Sequence, residues 1–114
     1  MADTDLEVSE GTGNVYADLG YPDAAEMQRK AQLATAIGRQ IKALQLTQRE
    51  AERRTGIPQP KLSGLLNGKF RGVSETKMMH ALVALDMVVE INIHKPANDE
   101  VGRFELTVEG GGAS

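Results

Sequence analysis

The sequence predicts a mainly α-helical domain of five helices that ends in a C-terminal β-hairpin. Three observations lead to this prediction. Apolar residues recur at spacings of three and four between residues 23 and 44. Capping residues and glycines frame two short apolar segments between residues 46 and 69. After Asp86 the period of the apolar residues changes from about 3.6 to 2, which is typical of strands.

The chain of 114 residues divides into three predicted parts and is long enough to bury one core. Residues 1–13 are polar, acidic and glycine-containing, which predicts a mobile N-terminus. Residues 14–109 form the predicted domain with its C-terminal β-hairpin. Residues 110–114 have the composition of a flexible tail. The absence of cysteine excludes disulfides and thiolate metal sites, and no apolar run approaches the roughly 20 residues of a membrane span. We therefore expect a cytoplasmic protein without membrane contact.

The first two predicted helices precede residue 45. Residues 14–20, NVYADLG, predict a helical turn that packs on the core. Asp23 is the predicted N-cap of a long second helix, and Glu26 occupies the capping-box position. The apolar stripe of that helix consists of Met27, Ala31, Ala34, Ile37, Ile41 and Leu44. Such a stripe indicates a core-facing surface rather than a cofactor site.

Residues 46–69 predict a helix-turn-helix, in which the second helix lies in the DNA major groove. Thr47 and Glu50 have the spacing of a capping box at the start of the first short helix. Gly56 suits the left-handed turn that ends this helix. Two leucines three residues apart then define the inward face of the second short helix. An ordinary αα-hairpin is the alternative reading.

A fifth helix and two strands complete the predicted domain. Ser74 is the predicted N-cap of the last helix. The first alternating run contains Val89, Ile91 and Ile93, and the second contains Phe104, Leu106 and Val108. Alternation of this kind predicts two antiparallel strands joined by the loop at residues 96–99. A lone hairpin is marginal in water, so it must lie on the helices, pair with another copy or bind a partner.

The net charge of −3 is divided unevenly along the chain. Residues 37–80 carry nine basic and three acidic residues, whereas residues 1–36 carry two and seven, and residues 81–114 carry two and six. The positive charge therefore coincides with the motif. Local charge rather than total charge governs attraction to phosphates, because salt screens over about 8–10 Å. This distribution favours binding to double-stranded DNA over a merely solvated helical surface.

The order of these elements resembles the Xre-type, lambda-repressor/Cro-like helix-turn-helix regulators, and more closely their HigA-like antitoxin branch. The segments that carry the resemblance are NVYADLG at 14–20, LTQREAERRTGIPQPKLSGLLNGK at 46–69 and VVEINI at 88–93. The resemblance implies a five-helix lambda-repressor-like domain that forms a homodimer and represses its own operon. It also implies a partner, a ribosome-dependent RNase toxin that this chain would neutralise. A stand-alone phage- or host-type regulator, or an interaction module that has lost DNA binding, is the alternative.

Nine positions match the DNA-contacting positions of that family or flank them: Gln48, Arg49, Gln59, Pro60, Lys61, Ser63, Gly64, Lys69 and Arg71. Gln59 begins the second motif helix, and glutamine suits the N6 and N7 atoms of adenine. Lys61 is within reach of guanine or a phosphate. Gln48 matches a phosphate contact at the start of the first motif helix. The remaining basic residues suit phosphates.

Four positions depart from the family pattern, and one of them is Pro60, which weakens the second motif helix by lying inside it. Glu52 stands four residues before the turn glycine, where a small residue is usual, so it must tilt outward or pair with a nearby base such as Arg49, Arg53 or Lys61. Thr55 stands where leucine is usual. Gly64 lies inside the second motif helix, where glycine costs about 1 kcal/mol relative to alanine. This glycine either permits close approach to DNA or marks a motif that is losing its function.

We do not expect an enzyme, a metal or a cofactor. His80 and His94 are far apart in sequence, and no HExxH motif is present. The glycines at 11–13 lack the lysine and the preceding strand of a phosphate-binding loop. The carboxylates form no recognisable acid/base pair. His80 is expected at the edge of the core.

Overall fold

The computed structural model describes residues 23–109, which contain four helices. Helix α1 spans Ala24–Ala43, α2 spans Gln48–Thr55, α3 spans Gln59–Leu66 and α4 spans Glu75–Ala84. These correspond to the second to fifth predicted helices, so the mainly helical class is confirmed. The first predicted helix, at residues 14–20, lies outside the described residues. The same holds for the predicted mobile N-terminus at 1–13 and the predicted tail at 110–114.

The four helices close around one core, with α1 and α4 sharing the most extensive contact. The five large side chains that are less than 2% exposed are Ile37, Ile57, Leu65, Met78 and Leu85. They come from α1, from the turn between α2 and α3, from α3 and from both ends of α4. The predicted stripe of α1 faces this core, since three of its residues are buried and the other three are half-buried against it.

The predicted caps of α2 and α4 are confirmed. Thr47 Oγ1 accepts a hydrogen bond from the Glu50 backbone N–H at 3.1 Å, and Glu50 Oε1 accepts from the Thr47 N–H at 2.8 Å. The hydrogen bond from the Thr47 backbone N–H to the carboxylate is the main cause that holds the pKa of Glu50 below its ordinary value. Ser74 Oγ accepts from the Lys77 N–H at 3.0 Å. Each cap satisfies an N–H group that the helix itself leaves unpaired.

The predicted capping box of α1 is wrong. Asp23 occupies the N-cap position, but its side chain makes no capping hydrogen bond. Its two carboxylate oxygens instead accept from Nη1 and Nη2 of Arg71, at 2.6 and 3.3 Å. Glu26 pairs with Lys30 Nζ at 3.2 Å. Both carboxylates therefore serve cationic partners, which form stronger hydrogen bonds than a neutral backbone N–H.

The α3–α4 loop, residues 67–74, is held against α1. Phe70 and Val73 of the loop are buried in the core. Lys30 is itself buried, and its Nζ donates to the Phe70 carbonyl at 3.4 Å. Where the loop ends, Arg29 forms a bidentate pair with Glu75, at 2.6 and 3.1 Å. These anchors fix the exit from α3 relative to α1.

The predicted C-terminal β-hairpin is wrong for the single chain. Residues 87–109, here called the C-terminal arm, contain no strand. The alternation brings part of the arm onto the helices, where Leu106 and Val108 are half-buried against the core. Met87 and Val89 are likewise half-buried against the core, whereas Ile91 and Ile93 are 74% and 93% exposed. Two runs that bury so little of their apolar surface lack the contacts that stabilise a hairpin.

Arg29 and Gln32 of α1 contact the arm through their polar groups. The Arg29 guanidinium lies 4.2 Å from the centroid of the Phe104 ring, which is cation–π geometry. Gln32 Nε2 donates to the Leu106 carbonyl at 3.4 Å. In the described part of the chain, no helix has the length and apolar character needed to cross a membrane.

Candidate nucleic-acid interface

Helices α2 and α3 are joined by the tight turn that the sequence predicted. Gly56 has a φ of 75°, the left-handed conformation that glycine adopts without steric cost. Its N–H donates to the Glu52 carbonyl at 2.8 Å, which closes the end of α2. Ile57 follows and is only 1% exposed, so it fills the space between the helices. With Ala51 buried beneath the crossing, this arrangement is a helix-turn-helix.

The unusual Thr55 is satisfied within the motif. Its side chain is buried, and Oγ1 donates to the Ala51 carbonyl at 2.7 Å. The same oxygen accepts from the Ile57 N–H at 3.2 Å. A buried hydroxyl without partners would destabilise the fold. Here the hydroxyl connects α2 to the turn through both hydrogen bonds. The sequence pattern did not predict this connection.

Glu52 shows the outward tilt that its position required. It is half-buried rather than buried. Among the described residues it forms no ion pair with Arg49, Arg53 or Lys61. Its carboxylate therefore retains contact with solvent, and the motif contains no uncompensated buried charge at this crossing.

Three of the predicted DNA contacts meet at one place on the surface. Gln48 begins α2, Gln59 begins α3, and Ser63 lies one turn further along α3. All three line one shallow depression between the helices. Its remaining lining is apolar and consists of Ile41, Ala51, Leu62 and Leu66. The structure thus brings together, around one depression, polar side chains that are up to 15 positions apart in sequence.

Two other predicted contacts are tied to internal partners. Lys61 Nζ donates to the Gly72 carbonyl at 3.2 Å. Arg71 holds the Asp23 carboxylate, and this guanidinium keeps the pKa of Asp23 below its ordinary value. Both cations therefore lie along the α3–α4 loop. Arg49 and Lys69, by contrast, are simply exposed.

The basic character of residues 37–80 survives folding at the surface. This segment has nine cations, of which Lys61 and Arg71 contact the α3–α4 loop or α1 and Arg54 contacts the end of α4. The other six are exposed: Arg39, Lys42, Arg49, Arg53, Lys69 and Lys77. Arg54 has a structural task that the charge count did not show. Its Nη2 donates to the Ala84 carbonyl at 2.9 Å and pairs with Asp86 at 3.1 Å, so it caps the C-terminus of α4.

Gly64 is not required by the fold. A Cβ added there would meet Lys69 Cβ at 3.7 Å, which is ordinary van der Waals contact. Its backbone does not need a positive φ, unlike that of Gly56. The glycine in the middle of α3 therefore has no internal explanation among the described residues. Pro60, at the second position of α3, is compatible with the helix because the N–H it lacks would be unpaired there.

The histidines show no sign of a shared site. His80 is exposed on α4 and not at the core edge as predicted, and His94 Nδ1 contacts the carbonyl of the adjacent Lys95 at 3.0 Å. Within residues 23–109, no three His, Asp or Glu side chains are grouped as metal ligands would be.

Comparison with known proteins agrees with this geometry. Residues 15–94 match the family described as "Helix-turn-helix domain". A solved structure whose title assigns it provisionally to the XRE family of transcriptional regulators superposes with a TM-score of 0.69 at 40% sequence identity. The match covers 78% of this chain and 100% of that one. No curated protein sequence matches this chain significantly. The chain therefore belongs to the helix-turn-helix domain family, as a DNA-binding transcriptional regulator of the Xre type.

Proposed function

We propose that the protein is a sequence-specific repressor that binds double-stranded DNA through α2 and α3. The observation that carries this proposal is the meeting of Gln48, Gln59 and Ser63 on one surface of the helix-turn-helix. Exposed cations within residues 37–80, the segment that contains the motif, provide the sequence-independent attraction to phosphates. The glutamines provide donors and acceptors for base edges or phosphates.

Each predicted contact has a distinct role in this proposal. Gln59 reads adenine through N6 and N7, and Ser63 lies over the next base along the groove. Gln48 holds a phosphate together with the free N–H groups at the start of α2. The backbone at Pro60 and Gly64 approaches the DNA closely, because neither residue carries a long side chain there. The phosphate contacts are Arg49, Lys61, Lys69 and Arg71.

Binding-site selection from random duplexes, followed by affinity measurements on the selected site, tests this proposal. Gln59→Ala should lose affinity by about 1–3 kcal/mol at one base pair and relax specificity there. Gln28→Ala, on α1, is the matched control because it removes the same side chain outside the motif. Failure of the wild-type protein to enrich any sequence, at low and moderate salt alike, contradicts the proposal.

We further propose that the repressor acts as a homodimer. One recognition helix covers few bases, and two half-sites about 34–36 Å apart would supply the missing specificity. The C-terminal arm offers the contact surface. Besides Ile91 and Ile93, Val88 and Val101 are 84% and 81% exposed. Pairing with the arm of a second copy would bury these side chains and supply the backbone partners of the predicted strands at 88–93 and 103–108. Sedimentation across micromolar concentrations measures this association.

The HigA-like resemblance and the charge distribution support a second role, as the antitoxin of a toxin–antitoxin pair. RNases that act on ribosomes are basic because they bind RNA. Residues 1–36 and 81–114 are acidic and would meet such a surface, which leaves the basic motif for DNA. Deleting residues 1–13 should then weaken binding of the product of the adjacent gene. If the product of the adjacent gene does not bind, the stand-alone regulator is the better reading. If the protein also fails to bind DNA, only the reading as an interaction module remains.

A further inference from the structure

Asp23, at the start of α1, and Arg71, in the α3–α4 loop, form an ion pair. Two N–H groups of Arg71 reach the two carboxylate oxygens, at 2.6 and 3.3 Å. The side chains are 31% and 61% exposed, so the pair remains accessible to solvent and to a ligand. A carboxylate and a phosphate accept from the guanidinium fork in the same bidentate way. Asp23 therefore occupies the donors that a phosphate would use.

The fold does not depend on this pair to hold the α3–α4 loop. Phe70 and Val73 are buried in the core, and the buried Lys30 binds the Phe70 carbonyl. The pair between Arg29 and Glu75 holds the start of α4. An exposed ion pair contributes little to folding, typically below about 1 kcal/mol. The position of the pair thus calls for an explanation other than stability.

Arg71 lies beside the helix that reads the DNA. Lys61 projects from α3 to the Gly72 carbonyl, which is one residue from Arg71. Lys69, two residues on the other side, is exposed. The loop therefore carries Arg71 along the margin of α3, where a phosphate of the bound duplex would pass if α3 occupies the major groove.

We propose that Asp23 restrains DNA affinity by competing with a DNA phosphate for Arg71. This inference rests on the proposed function, because it requires that α3 enters the major groove. In the free protein the carboxylate neutralises the guanidinium. DNA binding must then either break the pair or bring a phosphate next to a carboxylate. Both options weaken the phosphate contact that Arg71 would otherwise make.

The Asp23→Asn variant tests the inference on the selected duplex. It removes the competing charge and keeps a side chain of the same size at the N-cap. Affinity should rise about threefold to tenfold at low salt, as expected for one phosphate contact, and the slope of log affinity against log salt should steepen by about 0.9. Asp23→Ser, which also removes the carboxylate and places another common N-cap residue at this position, should give the same gain. Thermal unfolding of each variant verifies that the fold is intact.

Two further variants separate competition from a general change in charge. Glu26→Gln is the matched control, because it removes a carboxylate from the same helical turn that pairs with Lys30 instead of Arg71. It should change affinity by less than half as much on a logarithmic scale. In an Arg71→Gln background, Asp23→Asn should bring no gain, since the group for which it competes is gone.

The outcomes distinguish this inference from the proposed function. Unchanged or weaker binding of Asp23→Asn by a protein that binds in its wild-type form overturns the inference alone. A gain that persists in the Arg71→Gln background also overturns it, because the gain would not act through Arg71. Absence of binding by both the wild-type protein and Asp23→Asn overturns the proposed function and the inference together.

Discussion

The helical unit, residues 23–86, and the C-terminal arm differ in how far they bury their apolar side chains. In the helical unit, Ile37 and Leu65 are fully buried by residues of the same chain. In the arm, Ile93 is 93% exposed and Val88 is 84% exposed. Both regions have a regular apolar period, of about 3.6 in the first and 2 in the second.

This difference shows what an apolar period does and does not specify. It specifies which side chains share a face, but the surface that covers that face has to come from elsewhere. Four helices can cover one another, as α1 and α4 do. Two short extended runs cannot, because a strand needs neighbours on its edges as well as on its face. The exposed apolar residues of the arm are the surface at which we propose the dimer contact, and the predictions below test the contrast between the two regions.

The largest effect is expected from truncation in the core of the helical unit. Ile37→Ala should lower the free energy of unfolding by about 2–5 kcal/mol, because it removes buried methyl groups and leaves a cavity. Ile93→Ala removes the same atoms from the arm. In a dilute sample it should change the free energy of unfolding by no more than about 0.5 kcal/mol. Urea denaturation of the two variants gives both values, and similar losses would contradict the contrast.

The arm should matter most for self-association. Replacing Ile91 and Ile93 together by lysine should raise the dimer dissociation constant at least about tenfold, or 1.4 kcal/mol, by placing charge in the proposed contact. Sedimentation equilibrium measures this change. Thr76→Lys, at an exposed position of α4, is the control for added charge. An unaltered dissociation constant in the arm variant would place the dimer contact elsewhere.

The capping box should stabilise the first motif helix measurably. Thr47→Ala removes the acceptor for the Glu50 N–H and should lower the free energy of unfolding by about 1 kcal/mol. Thr76→Ala changes the same residue type within α4, where Ser74 is the cap. It should have a smaller effect. Thermal unfolding compares the two, and equal losses would mean that the box observed at Thr47 contributes nothing.

Gly64→Ala should separate folding from DNA binding. The space around Gly64 admits a methyl group, so alanine should stabilise the protein by about 0.5–1 kcal/mol through its higher helix propensity. If the backbone approaches DNA here, the same methyl group should weaken binding to the selected duplex. Gly56→Ala is the contrasting control, because the left-handed φ of 75° makes alanine unfavourable there. Tighter DNA binding by Gly64→Ala would refute close approach at this position.

A smaller effect is expected from acid. The pKa of Glu50 is lowered by the Thr47 backbone, so the unfolded chain takes up a proton before the folded protein does. The contribution of Glu50 to stability is therefore present above the ordinary value of 4.5 and is lost as the pH falls through the folded pKa. Glu50→Gln should flatten the dependence of the unfolding free energy on pH in this range. Equal slopes for wild type and Glu50→Gln would contradict this.

The helix-turn-helix could be predicted because its signals are local. Thr47 and Glu50 are three residues apart, and Gly56 acts through its own φ. The apolar stripe of α1 is likewise periodic within one helix. Interactions between distant positions could not be predicted in this way. Asp23 was assigned as a cap, but its partner Arg71 is 48 positions away.

The roles of individual cations could not be predicted from the sequence either. Arg54 and Arg49 look alike in the charge count, yet Arg54 caps α4 while Arg49 is exposed. The hairpin was mispredicted for a related reason. Alternation identifies residues that can form a strand, but a strand exists only if another strand is beside it. That partner is not supplied by the described residues of this chain.

The way α4 ends has a consequence for how such regulators can diversify. Gln40 Nε2 donates to the Leu85 carbonyl at 2.8 Å, and Arg54 Nη2 donates to the Ala84 carbonyl. Side chains of α1 and α2 therefore provide hydrogen-bond donors for carbonyl groups at the end of the last helix. The Met87 N–H also donates to the Leu82 carbonyl at 3.0 Å, so only the chain after Met87 is not needed for that task. Its exposed residues 90–95 could therefore be exchanged, by evolution or by an engineer, to alter partner choice while α2 and α3 keep their shape.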